Sequence, residues 1–131
     1  MNLSLLNQRL AICRLEPALP VPEWTSSATG FLSITHAGSE LSIVCAESIV
    51  PAGVQRETGW RAFKVAGPLD FTLTGILASL AVPLATAGVS IFAISTYDTD
   101  YVLVKEDNVE KAVRALQEAG HRVELAISED N

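Results

Sequence analysis

The second half of the chain has the most regular alternation of apolar and polar positions. After residue 107, apolar side chains recur at helical spacing and charged side chains fill the positions between them, which is typical of an amphipathic helix. Asp107, with Glu110 following at capping-box spacing, is the expected N-cap, and Gly120 is the expected end of the helix. The apolar positions of this helix are Val109, Ala112, Val113 and Leu116. The pattern predicts a helix that covers one side of an apolar surface.

Strand patterns flank this helix on both sides. Residues 89–96 and 101–105 are apolar and rich in β-branched side chains, and the short polar segment 97–100 between them predicts an antiparallel hairpin. Residues 121–127 alternate in polarity, as a half-exposed strand does. These runs supply three predicted strands.

Another strand and another helix precede the hairpin. Residues 60–66 alternate in polarity, and a helix is expected to begin at Asp70 or Thr72 and to end at Gly88, with Pro83 shortening or kinking its last turns. The second half of the chain therefore has the order strand, helix, strand, strand, helix, strand. This order predicts an α+β fold of the ferredoxin-like βαββαβ type, with both helices on one face of a four-stranded antiparallel sheet.

The first half of the chain is less complete. Strand patterns occupy residues 10–15, 30–37 and 41–47, and a proline-rich connection without a helical pattern joins the first of them to the second. Residues 1–59 are therefore expected to form a β-rich half-unit that lacks its first helix and is too small to fold alone. The complete unit is expected over residues 60–131.

Charge and composition exclude several classes of partner. The formal net charge is −6 and no cluster of Lys and Arg interrupts the acidic background, so neither nucleic acid nor an anionic membrane is an expected partner. The longest segment without a charged residue, 71–97, is divided by Pro83 and Gly88, which predicts a buried helix followed by a buried strand rather than a membrane span. Apolar residues make up 49% of the chain, and this surplus predicts an oligomer.

The location of the protein is expected to be cytoplasmic. Residues 1–11 contain polar residues where a secretory signal peptide would be apolar. Cys13 and Cys45 each lie in an apolar run without a CxxC spacing or a neighbouring His, which predicts free thiols in the core. Reduced thiols agree with a cytoplasmic location.

The sequence contains none of the common catalytic or phosphate-binding motifs. His36 and His121 are far apart and have no metal-ligand spacing. We therefore expect no enzymatic activity, no cofactor and no metal.

The turn from residue 66 into the first predicted helix is a candidate binding site. Backbone N–H groups at the start of a helix can hold a carboxylate without a basic side chain, and Asp70 offers a site for an ammonium group. The alternative is that Asp70 or Thr72 serves only as the N-cap and Gly75 only as a helix-packing residue. The polar segment 95–100 is by itself explained as a hairpin turn. Ferredoxin-like topology can nevertheless place both segments at the same end of the sheet.

The same segments carry a resemblance to a known family. Residues 64–78 and 91–104 resemble small bacterial ACT-domain proteins of the amino-acid-sensing branch that includes the animal cytosolic arginine sensors named CASTOR. The strings D-F-[ST]-L-T-G-I-[LI] and I-S-T-[YF]-x-T-D-Y-[VI]-L-V carry the resemblance, which is strongest over residues 60–123. Residues 10–50 resemble a truncated first ACT-like half. The sensors are longer, with four ACT-like units, so their arginine specificity is not carried over.

The resemblance implies a ligand site at ACT interfaces. The segment from Thr72 to Ile76 would contact the α-carboxylate of an amino acid, and Asp70 or Asp98 would receive its ammonium group. The strand ending at 94–98, from the same or a neighbouring unit, would complete the site. The predicted ligand-binding residues are Asp70, Phe71, Thr72, Leu73, Thr74, Gly75, Ile76, Ile94, Ser95, Thr96, Tyr97 and Asp98.

The leading hypothesis is a non-catalytic regulatory domain that binds a free amino acid and works as a homodimer. Its signal would pass either to a regulated partner protein or through its own dimer interface. The alternative is a ligand-free structural or protein-interaction module with the same fold. Thr74→Ala and Gly75→Ala discriminate between them, because a packing role predicts lost stability and a ligand role predicts lost binding alone. An enzyme that uses Asp70, Asp98 or Asp100 as a general base is disfavoured, because these loops are polar and solvated.

Overall fold

The computed structural model describes residues 1–70 and 74–127 of the chain. The strands are β1 (Asn2–Leu6), β2 (Leu10–Leu15), β3 (Leu32–His36), β4 (Leu41–Ala46), β5 (Gln55–Val65), β6 (Phe92–Ser95), β7 (Asp100–Lys105) and β8 (Arg122–Ile127). The α-helices are α1 (Ile76–Thr86) and α2 (Val109–Glu118). Short 3-10 turns occupy Glu23–Ser27, Glu47–Ile49 and Glu106–Asn108. No helix among the described residues is long and apolar enough to cross a membrane.

The described chain divides into two compact units. The larger unit contains residues 1–7 together with 61–127, and the smaller unit contains residues 8–60. The first seven residues were expected to belong to the N-terminal half, whereas β1 pairs with β5 and β8 and so lies in the larger unit. Strand β5 is longer than predicted and runs through the predicted boundary between 59 and 60.

The larger unit confirms the predicted α+β, ferredoxin-like class but adds a strand to it. Among the described residues its strands have the order β6-β7-β5-β1-β8. Strand β1, which was not predicted from the sequence, lies between β5 and β8 and pairs antiparallel with β5 and parallel with β8. The prediction of a four-stranded, wholly antiparallel sheet was therefore wrong. The predicted hairpin is confirmed, with Phe92 opposite Leu103 and Ser95 opposite Asp100.

Both helices pack on one apolar core in the larger unit. Helix α1 contributes Leu80 and Leu84, and α2 contributes Ala112 and Leu116. The strands contribute alternate residues, which places one face of the sheet against both helices. These strand residues are Leu3, Leu5, Phe63, Val65, Val102 and Val104.

The two helices begin at residues other than those predicted. Helix α1 begins at Ile76 with Gly75 at the N-cap position, so Asp70 is not its cap, and Thr72 lies outside the described residues. Helix α2 begins at Val109, and Asn108 occupies its N-cap position without a side-chain capping bond. Asp107 is not the cap because it lies in the preceding 3-10 turn.

Pro83 lies inside α1 without ending it. A proline has no N–H, so the carbonyl four residues earlier, that of Ser79, loses its helical donor. Nε2 of His121 lies 2.9 Å from this carbonyl oxygen and is placed to donate to it. His121 thus compensates for the proline, and α1 continues to Thr86.

The smaller unit is an antiparallel sheet with the strand order β3-β4-β2-β5. Its core contains Ala11, Cys13, Leu41, Ile43, Cys45 and Val50. In the segment between β2 and β3 the structure has the 3-10 turn Glu23–Ser27, whose Trp24 packs against this core. This segment contains no α-helix, and its interpretation as a truncated ACT-like half stays a prediction.

Candidate functional site

An open cavity of about 320 Å³ lies in the larger unit beside the start of α1 and the loop between β6 and β7. The described lining residues are Leu69, Asp70, Gly75, Ile76, Leu77, Ser95, Thr96, Tyr97, Asp98, Thr99 and Asp100. The two polar segments singled out in the sequence therefore meet in one cavity. That they bind a ligand stays a prediction.

The structure does not bring every predicted site residue to the cavity. Thr74 is exposed but is not among the described lining residues, and Ile94 faces Tyr101 in the hairpin register without lining the cavity. Phe71, Thr72 and Leu73 lie outside the described residues.

Four described lining residues were not among the predicted ones: Leu69, Leu77, Thr99 and Asp100. Asp100 and Thr99 belong to the polar segment 95–100 and could have been included on that signal. Leu69 and Leu77 have apolar side chains, and no pattern in the sequence separates them from core leucines.

Hydrogen bonds hold the loop between β6 and β7 in one conformation. The Thr96 amide donates to the Thr99 carbonyl at 2.8 Å, and the Thr99 amide donates to Thr96 Oγ1 at 3.3 Å. Thr99 is 4% exposed, and its hydroxyl donates to the Val65 carbonyl at 2.6 Å. This buried bond fixes the loop to the end of β5, which makes one wall of the cavity rigid.

A second contact joins the two walls of the cavity. The Leu69 amide donates to the Asp98 carbonyl at 2.7 Å. The chain before Leu69 approaches this carbonyl so closely that a Cβ on Gly67 would lie 2.9 Å from the Asp98 oxygen. Gly67 is therefore required by the close approach of the two segments.

The cavity is acidic and open. Asp70, Asp98 and Asp100 line it, and no basic side chain is among its described lining residues. Ser95 Oγ donates to Asp100 Oδ1 at 2.6 Å, which orients that carboxylate. The start of α1 supplies the opposite sign, because the first N–H groups of a helix have no partner within the helix and carry partial positive charge. Such a site can hold a ligand with both an ammonium and a carboxylate group.

Substitutions of Gly75 test whether its left-handed backbone conformation determines where α1 begins. Its φ is +76° and a Cβ there would meet nothing within 4 Å, so Gly75→Ala is expected to cost about 1–2 kcal/mol through backbone strain alone. Gly75→Asn should cost less, because asparagine tolerates the left-handed region better. Urea unfolding of both variants measures the difference, and equal losses for Ala and Asn would contradict a purely conformational role.

Comparison with known proteins agrees with this architecture. A family model described as an ACT domain matches residues 55–118, and a model of an N-terminal domain matches residues 8–53. A protein of Agrobacterium tumefaciens with a known crystal structure is 39% identical and has a TM-score of 0.90, with 99% of this chain and 96% of that chain covered.

Two further proteins are similar to this chain, one in sequence over a short segment and the other in fold alone. The human protein named cytosolic arginine sensor for mTORC1 subunit 1 is 42% identical over 59 residues, which are 44% of this chain and 18% of the sensor. The chain therefore matches less than one fifth of that curated relative. The regulatory subunit of aspartate kinase from Thermus thermophilus has a TM-score of 0.62 at 16% identity, covering 88% of this chain and 94% of that subunit, and shows the shared fold.

Proposed function

We propose that this chain, which belongs to the ACT-domain family, is a non-catalytic regulatory domain that binds a free amino acid in the cavity at the start of α1. The observation that carries the proposal is the meeting of Asp70, Asp98 and the first turn of α1 in one open cavity without a basic side chain among its described residues. Two of the similar proteins support it by name, since one is a regulatory subunit of aspartate kinase and the other is an arginine sensor.

The proposed pose follows from the charges of the cavity. The ammonium group of the amino acid lies near the Asp70 and Asp98 carboxylates, and its carboxylate lies near the N–H groups that begin α1. A volume of about 320 Å³ is at the small end of the ~300–1,000 Å³ range of small-molecule sites, which suits a free amino acid. The exposed ring of Tyr97 stands at the rim and can cover the ligand side chain.

The surface beside the cavity supports a homodimer. No residue from 71 to 97 is charged, and Val82 on α1 is 63% exposed. Strand β6 lies at the edge of the larger unit's sheet, where it pairs only with β7 among the described strands. Uncharged edges and apolar helix faces favour association. Leu77 belongs both to α1 and to the cavity lining, so a second copy on this surface would close the cavity.

Because the proposed domain has no catalytic role of its own, amino-acid binding must change the activity of another protein. We infer a regulated partner protein, whose contact with the dimer changes when the amino acid binds. A cytoplasmic location is part of the proposal and is supported by the cytosolic location in the name of the arginine sensor.

A screen of the twenty amino acids by thermal shift, with light scattering on the same samples, tests the proposal. One amino acid, or one side-chain class, is expected to raise the Tm of a dimer. A hundredfold excess over Kd adds about 2.7 kcal/mol to the free energy of unfolding, which corresponds to a rise of roughly 5–10 °C.

Asp98→Asn is the matched variant for this screen. The substitution keeps the shape of the side chain and the backbone carbonyl that accepts from Leu69, and Asp98 is exposed, so the Tm without ligand should change little. The loss of the carboxylate should weaken amino-acid binding about tenfold or more. A flat screen with the unmodified protein would favour the ligand-free interaction module instead.

A further inference from the structure

The smaller unit places its two cysteines side by side. Strands β2 and β4 pair so that Ala11 is opposite Cys45 and Cys13 is opposite Ile43, which puts both thiols on one face of the sheet at diagonal positions. Cys13 is 1% exposed and Cys45 is 0% exposed. The two thiols therefore share one site in the core, although 31 residues separate them along the chain.

The two thiols differ in pKa because their surroundings differ. The interaction between the two thiols lowers the pKa of Cys13 and raises the pKa of Cys45, whereas burial raises the pKa of both. The Arg56 guanidinium also lowers the pKa of Cys13. Arg56 is the register partner of Cys13 on β5.

Arg56 is held in this position by three backbone carbonyls. It donates to the Val54 carbonyl at 3.0 Å, to the Val50 carbonyl at 3.2 Å and also to that of Pro51. A fixed cation beside one member of a thiol pair favours the thiolate of that member, which is the nucleophilic form.

We infer that Cys13 and Cys45 form an oxidisable dithiol, in which Cys13 reacts first and Cys45 resolves the product to a disulfide. With hydrogen peroxide as the oxidant, the Cys13 thiolate attacks one peroxide oxygen, breaks the O–O bond and releases hydroxide, which leaves a sulfenic acid. The Cys45 sulfur then attacks the Cys13 sulfur, gives up its proton and expels water. Two thiols and one peroxide thus become one disulfide and two waters.

Access for the oxidant is explained by the position of β3. This strand is at the edge of the smaller unit's sheet, and its Leu32, opposite Cys45, is 39% exposed. Edge strands open locally more easily than central strands do. Such an opening admits a small oxidant without global unfolding. The inference does not depend on the proposed amino-acid site, which lies in the larger unit.

Intact-mass measurement of the native protein after exposure to hydrogen peroxide tests the inference. The expected product is a monomeric chain lighter by two hydrogen atoms, with Cys13 and Cys45 joined in the peptide map. The reaction should be at least tenfold faster than global unfolding measured in the same buffer. Products that carry added oxygen atoms without a bridge, disulfides between chains, or a rate equal to that of unfolding would each overturn the inference.

Two single variants test the order of reaction. In Cys45→Ser, dimedone is expected to trap a sulfenic acid on Cys13, because no thiol remains to resolve it. In Cys13→Ser, Cys45 is expected to react at least tenfold more slowly. Equal rates in the two variants would overturn the assigned order. The mass change of the unmodified chain decides the existence of the dithiol even where a variant folds poorly.

Discussion

Leu80→Ala is expected to lower the free energy of unfolding by about 2–5 kcal/mol. Leu80 is 1% exposed and is one of the two buried residues through which α1 packs on the sheet of the larger unit. The variant loses the transfer free energy of the side chain and leaves a cavity that α1 can fill only by moving. Since domains of this size have a total stability of about 5–15 kcal/mol, urea unfolding will show a large loss.

Leu125→Ala is the matched control for this substitution. It removes the same atoms from a side chain that is 59% exposed, so the expected loss is below about 1 kcal/mol. Because α1 begins at the cavity, Leu80→Ala should also increase hydrogen exchange of the amides at the start of α1 more than Leu125→Ala does. Similar losses of stability in the two variants would show that α1 does not depend on Leu80 for its place on the sheet.

The elements of the larger unit were predictable where they follow from the spacing of apolar residues within one short segment of the chain. The helix α2 and the hairpin of β6 and β7 follow from the spacing of apolar residues, and their positions are close to those predicted. Strand β1 was missed because its partners are distant in the chain. Leu3 pairs with Val65 and Val123, and no local pattern in residues 2–6 indicates that these three positions are neighbours.

The helix starts were wrong for a different reason. Asp70, Thr72 and Asp107 have the residue types of ordinary N-caps, and residue preference does not decide among several candidates near one helix. At α1 the start is fixed by Gly75, whose left-handed backbone turns the chain into the helix. At α2 the expected cap, Asp107, lies within the 3-10 turn Glu106–Asn108 that precedes the helix.

The meeting of the two polar segments was predictable from topology, but the contacts that hold them were not. In a βαββαβ unit, the start of the first helix and the hairpin loop can share one end of the sheet. The bond from Thr99 to the Val65 carbonyl and the bond from Leu69 to the Asp98 carbonyl depend on the distance between backbones in the folded chain. Residue types alone carry no signal of such distances.

Gly67→Ala is expected to separate the two walls of the cavity. The new Cβ would lie 2.9 Å from the Asp98 carbonyl oxygen and 3.2 Å from Thr99 Cβ, so the backbone must shift. We expect a loss of about 1–3 kcal/mol in the free energy of unfolding, which is typical of overpacking. The shift breaks or lengthens the 2.7 Å bond from the Leu69 amide, so hydrogen exchange at Leu69 should accelerate about tenfold or more.

Gly38→Ala is the control that distinguishes this close approach from a general effect of replacing glycine. A Cβ at Gly38 meets nothing within 4 Å, and the backbone there is outside the left-handed region. Alanine should therefore leave stability unchanged or raise it by up to about 1 kcal/mol, because it reduces the entropy of the unfolded chain. Since Leu69 and Asp98 both line the cavity, any amino acid that stabilises the unmodified protein should stabilise Gly67→Ala much less and Gly38→Ala equally. Unchanged Leu69 exchange in Gly67→Ala would mean that the two walls are held together by contacts other than this bond.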